Sequence, residues 1–445
     1  MRKEIKNFDR ILFAILFVGF YLRVLYIIAA PYGISMHDLG FFSPEGYTDT
    51  AEGHLGYISY LYHFRHLPDF DPRLKWGFYN PPGFHIISAV WFGINRMLGF
   101  STRICLENLQ IYTLILITAA IAVTVKILQE IFPKDKYLLL FAAVLTSSPF
   151  FTIFSGTLNN DPQAFLCSML AILYTIRWHR KATLKNIVII AFSLGFGMFT
   201  KLNVGLLAFP IGFLFLHDFV KNRKEFQKYM LQFGVFGMIC VPLGMFWPIR
   251  NYVRFGMPMN YIPDVKSVRQ YVGDIAIGKR IGLPTWQEVS YPFLSFDPEK
   301  EYNIWVQMIR TSLFDEALLP ENMKFYNICA IILLWIAFLG AVLAVVLWIC
   351  ILCDRNTMAW EMKMFFIVLF ISLLTGFVPF CFSYPYICTM NFRYIMPIIL
   401  MPYLGLEYFF HTGKQGKIIK NISLAGILLF LGLSVIMDVA LILKT

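Results

Sequence analysis

The sequence has little charge, since aspartate, glutamate, lysine and arginine make up only 15% of its 445 residues. A soluble domain ordinarily carries about 25% charged residues, so this chain lacks the polar surface that a soluble protein needs. Hydrophobic residues make up 58% of the chain, and the mean hydropathy is +0.63. Apolar runs of roughly 17 to 25 residues recur, each long enough to cross a hydrocarbon core of about 30 Å. We expect these runs to be helices, because lipid offers backbone polar groups no other partner.

Internal repeats and low-complexity tracts are also missing from the sequence. The two halves are unalike, which disfavours a transporter built from inverted repeats. Three of the eight cysteines, Cys167, Cys240 and Cys350, lie within apolar runs and are interpreted as core packing rather than as a metal or disulfide framework. Cys381 and Cys388 flank a short loop, and the sequence leaves open whether they pair.

The net charge of +11 indicates where the loops lie. In a soluble protein this excess would suggest nucleic acid, but in a membrane protein it is typical of basic cytoplasmic loops facing anionic lipid. We therefore expect membrane lipid as a partner and no nucleic acid. The basic segment 1–10 before the apolar run 11–30 predicts an uncleaved signal anchor with its N-terminus inside.

The predicted fold is an all-α polytopic membrane helix bundle of about eleven transmembrane spans, forming a single domain over residues 1–445. Segment 83–100 is apolar but short and is interrupted by His85, Asn95 and Arg96. If it crossed, the compact basic loops would lie outside, so we expect an amphipathic helix along the outer interface and a C-terminus outside. The predicted spans are 11–30, 108–129, 137–155, 163–178, 186–200, 203–219, 231–248, 326–353, 363–382, 394–411 and 420–442.

Several polar residues gather at the predicted outer face. The outer loops are 31–107, which is the candidate donor and acceptor site, and 251–324. Two carboxylates and three cations at one level suit a reaction on a membrane-bound phosphorylated substrate. A carboxylate would take a proton from an acceptor hydroxyl, and the cations would hold the phosphate leaving group. These residues are Asp38, Asp161, Lys201, Arg250 and Arg393.

Each of these residues also has a structural interpretation. Asp38 could cap a loop helix, and Asp161 before a proline is a good helix N-terminal residue. Lys201 and Arg393 could be interface anchors that extend to lipid headgroups. The first outer loop also contains four histidines without metal-ligand spacing, so no metal ligand is assigned: His54, His63, His66 and His85. No cofactor is assigned, and the two outer carboxylates leave a divalent metal open.

Short motifs around these positions occur in a characteristic order. The order and spacing resemble the GT-C membrane glycosyltransferases, in the group that contains protein O-mannosyltransferases and the lipid A aminoarabinose transferase (glycosyltransferase family 39-like). The motifs are Asp38 after the first span, Gly53–Ile58, Phe78–His85, Asn159–Asp161, Gly197–Leu202, Ile249–Tyr252, and Asn391–Tyr394 with Pro397.

This resemblance implies a hexosyltransferase-class enzyme that transfers a sugar from a polyprenyl-phosphate carrier to an acceptor, with inversion at the anomeric carbon. It implies amphipathic helices in the first outer loop and an acceptor that is a glycan, a lipid or a protein. By resemblance, Asp38 is the general base, and Asp161 supports the acceptor or the site geometry. Lys201 and Arg393 are placed near the donor phosphate. Arg250 is a further phosphate candidate, and the other site candidates are His37, His54, Asn160, Tyr79 and His85.

The sequence departs from this pattern at two places. Asn80 stands where relatives often carry histidine, and His37-Asp38 stands where the mannosyltransferases usually carry adjacent Asp-Glu. Mannose and a protein acceptor are therefore not carried over. The alternative function is a transporter or flippase of a lipid-linked substrate, which would place ionisable residues at mid-membrane, as at Lys126 and Asp438. A glycan polymerase or ligase is a second alternative. The basic, aromatic-rich composition fits a bacterial plasma membrane.

Overall fold

A computed structural model describes residues 6–34, 38–265, 268–320, 322–355, 358–412 and 416–444. The regular secondary-structure elements of these residues are all helices, joined by turns and loops. An isolated antiparallel bridge joins Tyr271 and Tyr386. The predicted all-α class is confirmed. The α-helices are α1 Phe8–Ala29, α2 Gly53–Phe64, α3 Gly83–Met97, α4 Thr102–Ile131, α5 Lys136–Thr146, α6 Pro149–Ser155, α7 Asp161–Arg180, α8 Leu184–Thr200, α9 Ala208–Lys221, α10 Phe226–Phe255, α11 Ile277–Ile281, α12 Trp286–Val289, α13 Ile304–Phe314, α14 Lys324–Cys353, α15 Trp360–Ser383, α16 Leu400–Thr412 and α17 Lys417–Leu443. Short 3-10 helices are Tyr32–Ile34, Pro72–Leu74, Leu202–Leu207, Arg223–Glu225, Val268–Gln270, Ile387–Met390, Phe392–Tyr394 and Met396–Ile399.

Seven helical segments of the described chain are long and apolar enough to cross a membrane. They are α1, α4, Leu202–Lys221, Arg223–Phe255, α14, α15 and α17. Helices α5 and α6 form an eighth candidate with a bend of 49°. The bend falls just before Pro149, whose ring removes a backbone donor and disfavours a helical conformation in the preceding residue.

The three remaining predicted spans, 163–178, 186–200 and 394–411, correspond to α7, α8 and α16. Each of these helices is too short or too polar to meet the same length and hydropathy test. The multi-pass architecture is confirmed, whereas the count of eleven and the orientation of the termini stay predictions.

Helix α3 corresponds to the segment that was predicted to lie along the interface. Its 15 residues would extend about 22 Å, which is less than the hydrocarbon thickness. One face buries Phe84 and Phe92, whereas Val90 and Met97 on the other side are exposed. The amphipathic helix is confirmed, and its location in the membrane interface stays a prediction.

The chain divides into two compact units. The first unit contains residues 1–29, 124–153 and 265–445, and the second contains 30–123 and 154–264. The second unit therefore holds the described part of the first outer loop, together with Asp161, Lys201 and Arg250. Arg393 belongs to the first unit. The single-domain organisation stays a prediction.

A buried charged pair joins helices of the first unit. Arg23 of α1 is 1% exposed, and its Nη1 donates to the carbonyl oxygen of Thr146 at 2.8 Å. Gly19, one turn earlier, permits this approach, since a methyl group there would lie 2.2 Å from Oγ1 of Thr146. Asp438 of α17 is fully buried and interacts electrostatically with Arg23. A lone charge at such a position would be very costly, so this electrostatic interaction favours the charged form of Arg23.

All eight cysteines are free thiols. The pairing that the sequence left open between Cys381 and Cys388 is therefore not formed. Cys381 is buried, and its Sγ instead donates to the carbonyl oxygen of Thr389 at 3.4 Å. Cys167 and Cys240 are buried, as predicted, whereas the prediction of core packing is wrong for Cys350, which is exposed near the end of α14.

Backbone contacts fix the start of α2 in the second unit. The carbonyl oxygens of Asp38 and Leu39 accept from the amides of His54 and Leu55, at 3.1 and 2.8 Å. Gly53 adopts a left-handed conformation, with φ of +69°. A methyl group at Gly53 would lie 2.6 Å from the Cα of Gly40 and 2.7 Å from the carbonyl oxygen of Asp38. Only glycine fits at position 53, where the loop of Asp38 contacts the start of α2. This close backbone contact, called the crossing below, holds the loop against α2.

We expect Gly53→Ala to lower the Tm of the detergent-purified protein. The left-handed backbone adds about 1–2 kcal/mol for a residue with a Cβ, and the overpacked contact adds about 1–3 kcal/mol. Gly33→Ala is the matched control, because no atom lies within 4 Å of a methyl group at that position. Equal Tm values for Gly53→Ala and the wild type would contradict this account of the crossing.

Candidate functional site

The structure brings together two of the predicted site residues, Asp161 and Lys201. Asp161 is the first residue of α7, and Lys201 follows the last residue of α8. The Lys201 Nζ donates to Oδ1 of Asp161, with side chains that are only 16% and 3% exposed. Each charge also lies at the helix end whose dipole favours it, the carboxylate at an N-terminus and the ammonium at a C-terminus. The pair is therefore held by two helices and by burial.

Neutral polar groups surround this ion pair. Asn160 Nδ2 donates to the carbonyl oxygen of Thr200 at 3.0 Å, and Gln163 Nε2 donates to Oγ1 of Thr200 at 2.6 Å. The hydroxyl of Tyr112 donates to Oε1 of Gln163 at 2.5 Å. The predicted candidate Asn160 thus braces the end of α8 just before Lys201. Sequence reasoning missed Tyr112 and Gln163, because isolated polar residues in apolar helices carry no motif, and it assigned no role to Thr200 of the motif Gly197–Leu202.

His54 and His85 form a buried pair between α2 and α3. The Nδ1 atom of His54 lies 2.8 Å from Nε2 of His85, and the two rings stack with centroids 5.1 Å apart. The ring of Tyr57 covers His85 at 4.4 Å. Burial, and then the neighbouring His54, hold the pKa of His85 well below its ordinary value. His85 is therefore a neutral side chain that joins two helices of the first outer loop.

A path of direct contacts links Asp38 to Lys201. Asp38 is half-buried in a left-handed conformation, with φ of +53°, and its carbonyl oxygen accepts from the amide of His54. The His54 ring contacts His85 near the start of α3. Gly83, the first residue of α3, packs closely against Thr200, the residue before Lys201. A methyl group on Gly83 would lie only 2.8 Å from Oγ1 of Thr200. His37, the neighbour of Asp38, lies outside the described residues.

Tyr79 and Arg250 connect the first outer loop to α10. The carbonyl oxygen of Tyr79 accepts from Nε1 of Trp247 at 3.0 Å. Arg250 donates to the carbonyl oxygen of Pro68 and to Oδ1 of Asn251, and its guanidinium lies 5.0 Å from the ring of Trp247. These contacts hold the loop in place. The phosphate-binding role of Arg250 stays a prediction.

Arg393 lies in the first unit and is held by its own local network. It is 5% exposed in the 3-10 turn Phe392–Tyr394. Its amide donates to Oδ1 of Asn391, and its Nη2 donates to the hydroxyl of Tyr394 at 3.1 Å. Asn391 in turn donates to Oδ1 of Asp315 at 2.9 Å. The turn is therefore firmly placed, and the proposed contact of Arg393 with phosphate stays a prediction.

Residues 94–247 match the model of the dolichyl-phosphate-mannose-protein mannosyltransferase family. The predicted family resemblance is confirmed. The matched residues contain Asn160, Asp161 and Lys201, so the buried ion pair falls within the region of similarity. Asp38 and Arg393 lie outside it. No curated protein matches the chain. The match supports a membrane glycosyltransferase.

Burial of neutral His85 predicts that the stability of this glycosyltransferase-like protein depends on pH. The unfolded chain would bind a proton near the ordinary pKa of 6.5, whereas the folded chain binds it only at lower pH. Stability should therefore fall as pH drops below about 6.5, by at most about 1.4 kcal/mol per pH unit.

The Tm of the wild type should decrease from about pH 7.5 to about pH 5.5, and His85→Gln should decrease less steeply. His66→Gln is the control, because His66 is exposed and should retain the wild-type slope. Parallel slopes for the wild type and His85→Gln would show that His85 is not the titrating group.

Proposed function

We propose that this protein is an integral membrane glycosyltransferase that moves a sugar from a polyprenyl-phosphate carrier to an acceptor hydroxyl at the outer face, with inversion. The observation that supports this most directly is the buried Asp161–Lys201 pair at adjoining helix ends, within the region that matches the family. A bacterial plasma membrane, a cytoplasmic N-terminus and an outer C-terminus belong to the same proposal. The acceptor is a glycan, a lipid or a protein.

Lys201 is the proposed ligand of the donor phosphate. An ammonium group carries three N–H donors, so its contact with Asp161 is compatible with binding a phosphate oxygen. Asp161 orients the ammonium through their direct contact. Negative charge grows on the phosphate as its bond to the sugar breaks, so the cation favours the transition state more than the bound donor. Arg393 and Arg250 are further proposed phosphate ligands.

Asp38 is the proposed general base. Its carboxylate takes the proton from the acceptor hydroxyl, whose oxygen attacks the anomeric carbon from the face opposite the phosphate. The bond between that carbon and the phosphate oxygen breaks, and polyprenyl phosphate leaves with the electron pair. Inversion needs one base and no covalent intermediate. The backbone contacts to α2 give Asp38 a fixed position, and half-burial leaves its side chain accessible to substrate.

The transporter alternative gains no support from the two charged residues that the sequence placed inside spans. Asp438 is fully buried among helices of the first unit and interacts electrostatically with Arg23. Lys126 is exposed, and its Nζ donates to Oε1 of Gln129 at 3.1 Å. Structural contacts therefore account for both residues without a substrate path.

Asp38→Asn should reduce sugar transfer by about 10²–10⁴-fold, because it removes proton abstraction while keeping the side-chain volume. The measurement is release of polyprenyl phosphate from a panel of polyprenyl-phosphate sugars by purified protein in lipid vesicles. Asp49→Asn is the matched control, since this carboxylate lies in the same loop and is fully exposed. Turnover by Asp38→Asn at the wild-type rate, with an unchanged Tm, would refute the base assignment.

Lys201→Met should weaken binding of polyprenyl phosphate by about tenfold or more, through loss of a charge-assisted contact. Saturable thermal stabilisation of the detergent-purified protein reports this binding. Because Lys201→Met leaves Asp161 buried without its cation, the double variant Asp161→Asn/Lys201→Met should recover stability without recovering binding. Lys221→Met, at the exposed end of α9, is the control. Full stabilisation of the double variant by the lipid would exclude Lys201 as a phosphate ligand.

A further inference from the structure

A second cluster of titratable side chains lies in the first unit, where the C-terminal end of α16 meets the turn before α5. Asp135 precedes α5, and Glu407 and His411 lie one turn apart on α16. One potential ligand atom from each residue lies within 4.8 Å of the other two. We propose that these three residues bind one divalent transition-metal ion, with zinc as the best-suited ion.

The hydrogen bond of the His411 ring leaves its second nitrogen directed at a carboxylate. Nδ1 lies 2.7 Å from the carbonyl oxygen of Glu407, and a carbonyl only accepts, so Nδ1 carries a proton. In the neutral ring Nε2 then holds a lone pair, and it lies 3.2 Å from Oδ2 of Asp135. A lone pair and a carboxylate oxygen repel each other unless a cation lies between them. A metal-bound histidine commonly uses its other nitrogen to donate to a carbonyl in this way.

Glu407 is the second indication of a bound cation. Its side chain is 0% exposed, and neither carboxylate oxygen has a hydrogen-bond partner within the described chain. Buried carboxylates are rarely left in this state. A protonated His411 could donate Nε2–H to Asp135, and its Nδ1 also lies 3.3 Å from Oε2 of Glu407. The single Nδ1 proton is bonded to the nearer carbonyl oxygen of Glu407 at 2.7 Å. A protonated His411 therefore forms a hydrogen bond with one carboxylate only, whereas a metal ion could bind both.

The donor set and spacing suit zinc. An imidazole nitrogen and two carboxylate oxygens are common zinc ligands, with bonds of about 2.0–2.2 Å. Neighbouring ligand atoms in a tetrahedral site are then about 3.3 Å apart, close to the 3.2 Å between His411 and Asp135. Water would supply the fourth ligand. The rings of Phe132 and Tyr137 lie 5.5 and 6.1 Å from His411 and shield the cluster.

The ion would fasten α16 to the start of α5. Oδ1 of Asp135 accepts from the amides of Tyr137 and Leu138, at 2.8 and 3.3 Å, so one carboxylate would cap α5 and bind metal at once. The predicted topology places this end of both helices on the cytoplasmic side, and none of the three residues belongs to the proposed site of transfer. The role of the ion is therefore structural.

A second histidine and carboxylate cluster provides a matched control. His179 and His217 both direct Nδ1 at Asp218, at 2.8 and 2.9 Å. Here the carboxylate is satisfied by two ring N–H donors, and no cation is needed to explain the geometry. His217→Gln removes one member of this cluster in the same way that His411→Gln removes one member of the proposed site.

The experiment measures metal content of the full-length protein, purified in detergent without chelator or a metal-affinity step, by inductively coupled plasma mass spectrometry. We expect about one zinc per chain in the wild type and in His217→Gln. Occupancy should fall about tenfold or more in Glu407→Gln and His411→Gln, because each loses a direct ligand. Wild-type Tm should drop after treatment with a chelator and return when zinc chloride is added.

Two outcomes would overturn the proposal. In the first, the wild type contains no stoichiometric metal, and zinc chloride does not raise its Tm, which would identify the cluster as a protonated His411 ion pair. In the second, zinc is present but is retained by Glu407→Gln and His411→Gln, which would place the ion elsewhere. Because metal content is measured on the wild type, a variant that fails to fold does not prevent the test.

Discussion

The buried ion pair between Asp161 and Lys201 fixes the ends of two helices, and the rest of the candidate site is arranged around it. Neither charge would be stable alone at this depth, so each requires the other. The polar groups beside the pair, Asn160 and Gln163, both bind Thr200, which sets where α8 ends. A cation that is already charged and oriented needs little reorganisation when a phosphate arrives, and such preorganisation is how a fixed charge contributes to rate.

The first outer loop is placed by its backbone rather than by large side chains. Three glycines with positive φ, Gly40, Gly53 and Gly77, bring main-chain segments into contact at the start of α2. The carbonyl oxygen of Asp38 accepts a hydrogen bond from the amide of His54 at the start of α2, so the backbone of Asp38 is held in place. Because backbone hydrogen bonds hold Asp38, the position of this proposed base does not depend on which side chains lie beside it.

Several buried charged side chains of the described chain interact with an opposite charge. Arg23 interacts electrostatically with Asp438 in the first unit, and Arg310 pairs with Glu301 at 3.4 Å, where both side chains are nearly fully buried. Asp161 has Lys201. The cluster of Glu407 and His411 differs, because potential ligand atoms of these two residues and Asp135 lie within 4.8 Å of one another and neither carboxylate oxygen of Glu407 has a hydrogen-bond partner among the described residues. Burial without compensation is costly, and this difference between the clusters is the reason to infer an added ion there.

The sequence by itself determined the helical class, the multi-pass architecture and the amphipathic helix α3, because hydrophobic length and periodicity are local properties. It also singled out Asp161 and Lys201 as site candidates through their motifs. Only the tertiary structure decided that these two residues form an ion pair and that His54 contacts His85. It also brought Asp135 to His411, which are far apart along the chain and share no motif. Such contacts depend on how helices pack, and the periodicity of one helix does not specify its partner.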